Sequence, residues 1–269
     1  MARTQWQSPV AAVSFSLATT LLAAAPDSSP AQTAGRWPDE QTVGPYVCHA
    51  DFRLDRGAGL LNELMQLQRD LTQTLGMRLG AEPIHLFLFG RERTYQNYVQ
   101  QYFPHVPYRR ALFIKERGPG MVFAFSSKEL DVDLRHESTH AILHAALPMV
   151  PLWLDEGLAE YFEVPPADRA YRNPHLPKVK WGSFLHTTKP LKTLEDIGRL
   201  EEMDASAYRH AWAWVHFMLH GPPAAQDELT CYLNDIQSHT PPGQLSNRLQ
   251  QRIPDLERSF VAHFTQWRR

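Results

Sequence analysis

Leu134-Arg135-His136-Glu137-Ser138-Thr139-His140-Ala141-Ile142-Leu143 is the stretch on which the reading of this chain turns. Its centre spells H-E-x-x-H. On a helix, positions i and i+4 share a face, so the two imidazoles stand close enough to grip one zinc ion. Glu137, beside the first histidine, lands where it can take a proton from a water that such an ion activates. Leu134, Ala141, Ile142, Leu143 and Ala145 make the helix apolar around the motif. Burying two histidines and a carboxylate with no partner is costly, so a metal is the expected one.

The rest of the chain sets bounds. It has 269 residues, 43% of them hydrophobic, enough for one domain or two closely packed lobes. A net charge of −2 gives no electrostatic footprint for nucleic acid, and no basic run reads as a membrane-surface patch. Beyond the N-terminus, no segment approaches the roughly 18–20 continuous apolar residues of a spanning helix. At the N-terminus, Arg3 precedes an apolar, small-residue run from Val10 to Ala25 that ends in Ala23-Ala24-Ala25. This is the pattern of a secretory signal, so residues 1–25 are expected to be removed and the protein exported, to the periplasm or outside the cell. Residues 26–43 then read as a flexible leader. Cys48 and Cys231 are either a long-range disulfide or two buried thiols.

Periodicity places the elements. Tyr46–Leu54 and Ile84–Phe89 read as strands, and Ala111–Lys115 with Met121–Phe125 as a hairpin across Gly118-Pro119-Gly120. Leu60–Leu79 and Arg93–Tyr102 carry helical spacing. The motif helix starts near Asp131 and Asp133 and ends at Leu147-Pro148. Pro151 opens a further helix through Phe162. Helices then follow at Leu191–Leu200, Ala205–Leu219 and Leu256–Trp267. Mixed strands and helices first, helices alone afterwards, predict an α+β fold. Its upper lobe covers about 44–146 and its helical lower lobe about 151–269, with the motif helix between them.

A zinc ion needs a third protein ligand. His144 continues the ladder, but it lies about 12 Å along the helix from His136 and cannot share the ion with both histidines. The helix Trp153-Leu154-Asp155-Glu156-Gly157-Leu158-Ala159-Glu160-Tyr161, running antiparallel, presents Glu156 as the natural third ligand. Glu160, one turn on, is placed to orient a ligating imidazole. Asp155 is expected to point elsewhere, into solvent. His216 and His220, also four apart, have no flanking acid and read as surface or core residues.

H-E-x-x-H followed by W-L-x-E-G-x-A-x-Y resembles the gluzincin metallopeptidases, which include thermolysin-like enzymes and the aminopeptidases related to leukotriene hydrolase. The resemblance is firm from about Gly120 to Phe162. It implies a zincin-like fold, one zinc ion on His136, His140 and Glu156, Glu137 as general base, and a peptide or protein substrate. Ala207-Tyr208-Arg209-His210 resembles the tyrosine-led helix of the aminopeptidase group, which makes Tyr208 the implied oxyanion donor and His210 its substitute. The aminopeptidases hold the substrate amine with the glutamate of a G-x-M-E-N motif; Gly118-Pro119-Gly120-Met121-Val122-Phe123 contains no acid, which points to endopeptidase action. Met121–Phe125 is the strand expected to pair with an extended substrate. The competing readings are a non-catalytic zinc protein that holds a peptide or an envelope partner, and a helical protein in which the motif is accidental.

Overall fold

The computed structural model describes residues 37–54, 59–116 and 118–268. The expected signal and most of the expected leader, residues 1–36, lie outside the described residues.

Five strands form one sheet in the order β1-β2-β3-β5-β4, with β1 Asp39–Val43, β2 Tyr46–Ala50, β3 Ile84–Phe89, β4 Ala111–Ile114 and β5 Gly120–Phe125. β2, β3 and β5 run parallel; β1 and β4 are antiparallel at the two ends. The continuous apolar run of β3 follows from cover on both faces. On one face Leu86, Leu88, Phe113, Val122 and Ala124 join a core with α1 (Gly59–Leu75) and the motif helix. On the other, Phe87, Phe89, Leu112, Phe123 and Phe125 pack with Tyr95, Tyr98 and Val99 of α2 (Glu92–Tyr102).

Two expectations fail here. The end of the expected leader is the strand β1, whose Asp39 Oδ2 accepts the Leu54 N–H at 2.8 Å. Asp-Glu-Gln-Thr-Val is a polar strand with two of its five residues exposed and none fully buried, so it carries no apolar run to announce it. The 111–125 hairpin forms, but β5 lies inside the sheet, paired with both β3 and β4. An extended substrate cannot add to a strand whose two sides are taken, so Met121–Phe125 is not a substrate strand.

The motif helix is α3, Leu130–Ala146, and α4, Leu152–Phe162, follows it. Beyond them come α5 (Leu176–Phe184), α6 (Leu191–Glu195), α7 (Ala205–His220), α8 (Pro223–Gln237), α9 (Leu245–Arg252) and α10 (Leu256–Gln266). The architecture is α+β, strands first and helices after. Asp204 caps α7 by accepting the Ala207 N–H at 2.6 Å. Cys48 is a buried thiol on β2 and Cys231 an exposed one on α8, and the two are unbonded. No helix among the described residues is long and apolar enough to cross a membrane.

His216 is fully buried on α7. Its Nδ1 meets His263 Nε2 at 3.0 Å, and its Nε2 meets the Ala170 carbonyl at 3.0 Å. Burial pushes its pKa down to about 3. Between about pH 6.5, where an unfolded histidine titrates, and pH 3, the unfolded chain takes up a proton that the folded chain refuses. Stability therefore falls as pH falls through that window and is unaffected by this group above it, with a loss of about 2 kcal/mol at pH 5. Denaturant melts at pH 7 and pH 5 should show this loss in the native protein and a smaller one in His216→Phe. An equal loss in both would clear His216 of the effect.

Candidate metal centre

α3 and α4 bring together the residues that the motif singles out. His136 and His140 stand on one face of α3, ring centroids 4.9 Å apart. Glu156 of α4 points its Oε2 between them, 3.7 Å from His136 Nε2 and 3.8 Å from His140 Nε2. These separations are a few tenths wider than the edge of a zinc tetrahedron, about 3.4 Å for the usual bond lengths. All three side chains are fully buried.

Each imidazole is anchored at its other nitrogen. His136 Nδ1 bonds Glu163 Oε2 at 2.8 Å, and His140 Nδ1 bonds Asp155 Oδ1 at 2.8 Å. The Nε2 atoms of both are buried and have no hydrogen-bond partner among the described residues. This is the arrangement in which a carboxylate fixes ring and tautomer and leaves the opposite nitrogen for a metal. Burial works against charging either ring, but Glu156 and Glu163 outweigh it at His136 and hold its pKa well above the usual value, while Asp155, helped by Glu156, raises that of His140. The site thus attracts a cation. His136, His140 and Glu156 are a set that can hold a metal ion.

Glu137 is buried beside them, and neither carboxylate oxygen has a hydrogen-bond partner among the described residues. Burial raises its pKa, and the neighbouring imidazoles offset this only in part. A carboxylate left in this condition is costly and needs a purpose to explain it.

Asp155 corrects an expectation. It is not in solvent but buried, accepting from His140 on one oxygen and meeting His144 Nε2 at 2.9 Å on the other. Burial pushes its pKa up, but the two imidazoles outweigh that and hold it well below the usual carboxylate range. His144 thus braces the brace, one step from the centre. Glu160 corrects a second expectation. Its Oε2 bonds His175 Nε2 at 2.8 Å, and it is Glu163, two turns beyond Glu156, that orients His136. Glu160 remains a close neighbour, and its charge, added to burial, pushes Glu163 up to about 7.

Gly157 explains how α7 reaches the site. A Cβ there would sit 2.7 Å from the Ala211 carbonyl oxygen, so only glycine lets the two backbones meet. Tyr208, one turn before Ala211, then lies within electrostatic reach of the same carboxylates. Burial raises its pKa, and Glu156, Glu160 and Glu137 raise it further, while Arg109 opposes them. The phenol therefore stays protonated. His210 is not beside it: its Nδ1 bonds the Ser206 carbonyl at 2.7 Å, and its charged neighbours are Arg209, Lys189 and Asp204.

Other contributors carried no local signal. Arg110 grips Asp133 of α3 with two bonds of 2.7 and 2.6 Å, tying the approach to β4 to the motif helix. Tyr95 of α2 donates to the Arg109 carbonyl at 2.7 Å. Phe113 of β4 stacks on His140 at 6.2 Å. These contacts join segments distant in sequence, and no spacing rule reports them.

The chain matches no protein-family model and no curated protein. A crystal structure of an M1 zinc metallopeptidase from Deinococcus radiodurans is similar over 84% of this chain, at 18% identity and a TM-score of 0.46. This chain covers 50% of that one, about half its length.

Proposed function

We propose that this protein is a zinc-dependent peptidase of the gluzincin kind, with a zincin-like fold and one zinc ion held by His136, His140 and Glu156. The observation that carries the reading is the pairing of two carboxylate-anchored imidazoles, whose Nε2 atoms are buried and unpartnered, with an unpartnered buried glutamate. A purely structural site has no use for that glutamate.

When bound, the ion supplies Lewis acidity, making a water acidic near neutral pH and polarising a carbonyl. Glu163 and Asp155 keep the two ligating rings in one orientation. Glu137 accepts the proton of the attacking water and passes it to the leaving amine. Its raised pKa suits the first half of that exchange, because a less acidic carboxyl is the stronger base. Tyr208, protonated, donates to the carbonyl oxygen as charge builds there.

Endopeptidase action is favoured, since no acid in 118–123 stands ready to hold a free amine. The N-terminal sequence supports export. The experiment uses protein from the exported fraction, where the mature chain should begin near residue 26. Loaded with zinc, it should cleave internal bonds in a mixed peptide pool and lose this activity on chelation. Zinc-loaded protein that cuts nothing would favour a non-catalytic peptide- or envelope-binding protein instead.

A further inference from the structure

The outward face of α5 presents three large apolar side chains to solvent. Trp181 is 65% exposed, Phe184 67% and Leu185 49%, and the first two rings stack with centroids 5.9 Å apart. The opposite side of the helix is anchored: Leu176, Val179 and Ser183 are buried, and Lys180 Nζ donates to the Trp267 carbonyl at 2.7 Å. The turn that ends α5 is also fixed. Thr187 N donates to the Gly182 carbonyl at 2.9 Å and His186 N to that of Ser183 at 3.3 Å, with His186 at φ 54°. A histidine held in the left-handed region, where glycine is usual, marks a turn determined by its surroundings. Phe184 and Leu185 are thus displayed by a defined turn, where exposure of a contiguous apolar patch is unfavourable unless something covers it.

The charge of the segment that carries this patch has one sign. From Arg169 to Leu194 the sequence contains no Asp or Glu. Arg169, Arg172, Lys189 and Lys192 are balanced by Asp70, Asp168, Asp204 and Asp196. Lys180 is committed to the Trp267 carbonyl, and Lys178 and Arg209 are in no ion pair among the described residues. Lys178 and Arg209 line the same cleft as Trp181. In sequence these cations are scattered and form no basic run; the fold gathers them around the aromatic pair.

We propose that this patch docks the protein onto an anionic lipid bilayer. Trp181, Phe184 and Leu185 enter the boundary between headgroups and acyl chains, where an indole and short apolar anchors are best accommodated. Lys178 and Arg209 lie against lipid phosphates, the second of the two signals that stable surface binding requires. A second copy of the chain is a poorer occupant, because a two-fold contact would set these cations against their own counterparts.

The test is co-sedimentation of the full chain with vesicles of phosphatidylcholine alone or with a third phosphatidylglycerol. Binding to the anionic vesicles should be at least about tenfold tighter and should weaken with salt. Trp181→Ser with Phe184→Ser, and separately Lys178→Glu with Arg209→Glu, should each reduce it by about tenfold. Trp181, Phe184 and Lys178 are exposed and Arg209 is partly so, so zinc content should not change, and the outcome is independent of whether the protein is a peptidase. Equal binding to both vesicle types, or anionic binding that survives both double variants, would overturn the proposal. So would dimerisation that the Trp181→Ser, Phe184→Ser variant abolishes, because the patch would then serve a second copy.

Discussion

Glu137→Gln is expected to lower kcat by about 10²- to 10⁴-fold, the usual contribution of a positioned general base, while zinc content stays at the native level. The amide keeps the shape of the side chain but cannot take the proton. It should also stabilise the zinc-free protein. Glu137 sits fully buried with two unpartnered oxygens, and burial already raises its pKa, so a neutral replacement relieves a desolvation cost. Lower activity joined to an equal or higher melting temperature is the signature of a group retained for chemistry. A glutamine variant with native turnover would remove Glu137 from the mechanism. One that fails to bind zinc would place it in the metal site instead.

Asp155→Ala should have the second largest effect, on metal affinity and on folding together. The carboxylate bridges His140 and His144 and is buried between them. Removing it frees the His140 ring to turn, with an expected loss of about 10- to 100-fold in zinc affinity. It also removes one partner of a buried charged pair, which costs about 3–5 kcal/mol in comparable settings. His144→Ala should do less, since that ring is partly exposed and touches the other carboxylate oxygen. Competition against a chromophoric chelator gives the affinity, and melts with and without zinc give the stability. Native affinity in Asp155→Ala would mean that the bridge holds nothing the metal needs.

The part of the site that sequence made legible is the part governed by local helical geometry. Two histidines four apart share a face whatever surrounds them, and Glu156 follows once a second helix is known to lie antiparallel. Asp155 was misplaced because its position, one residue from a ligand, assigns it to a different face of α4. That inference assumes a helix with one wet side. α4 has none: every residue from Trp153 to Phe162 is buried, with α3 on one side and α7 meeting Gly157 on the other. Glu163 was missed because it stands at the C-cap, just past the apolar pattern that defined the helix. Glu160, one turn from Glu156 instead of two, received the role and in fact serves His175.

The same division runs through the fold. β3 and the hairpin of β4 and β5 show as apolar runs around a turn. The order β1-β2-β3-β5-β4 does not, because it depends on where crossovers land, and that left β5 taken for a free strand. β1 is too polar to announce itself. α5, α8 and α9 went unread as well, and with α5 the exposed patch at Trp181.

Metal analysis tests the zinc reading most directly. The native protein, purified and equilibrated with excess zinc before removal of the free ion, should retain one equivalent per chain, and His136→Ala should retain almost none. Less than about a tenth of an equivalent in the native protein, where a three-ligand site should fill, or a full equivalent in His136→Ala, would contradict a zinc centre on His136, His140 and Glu156.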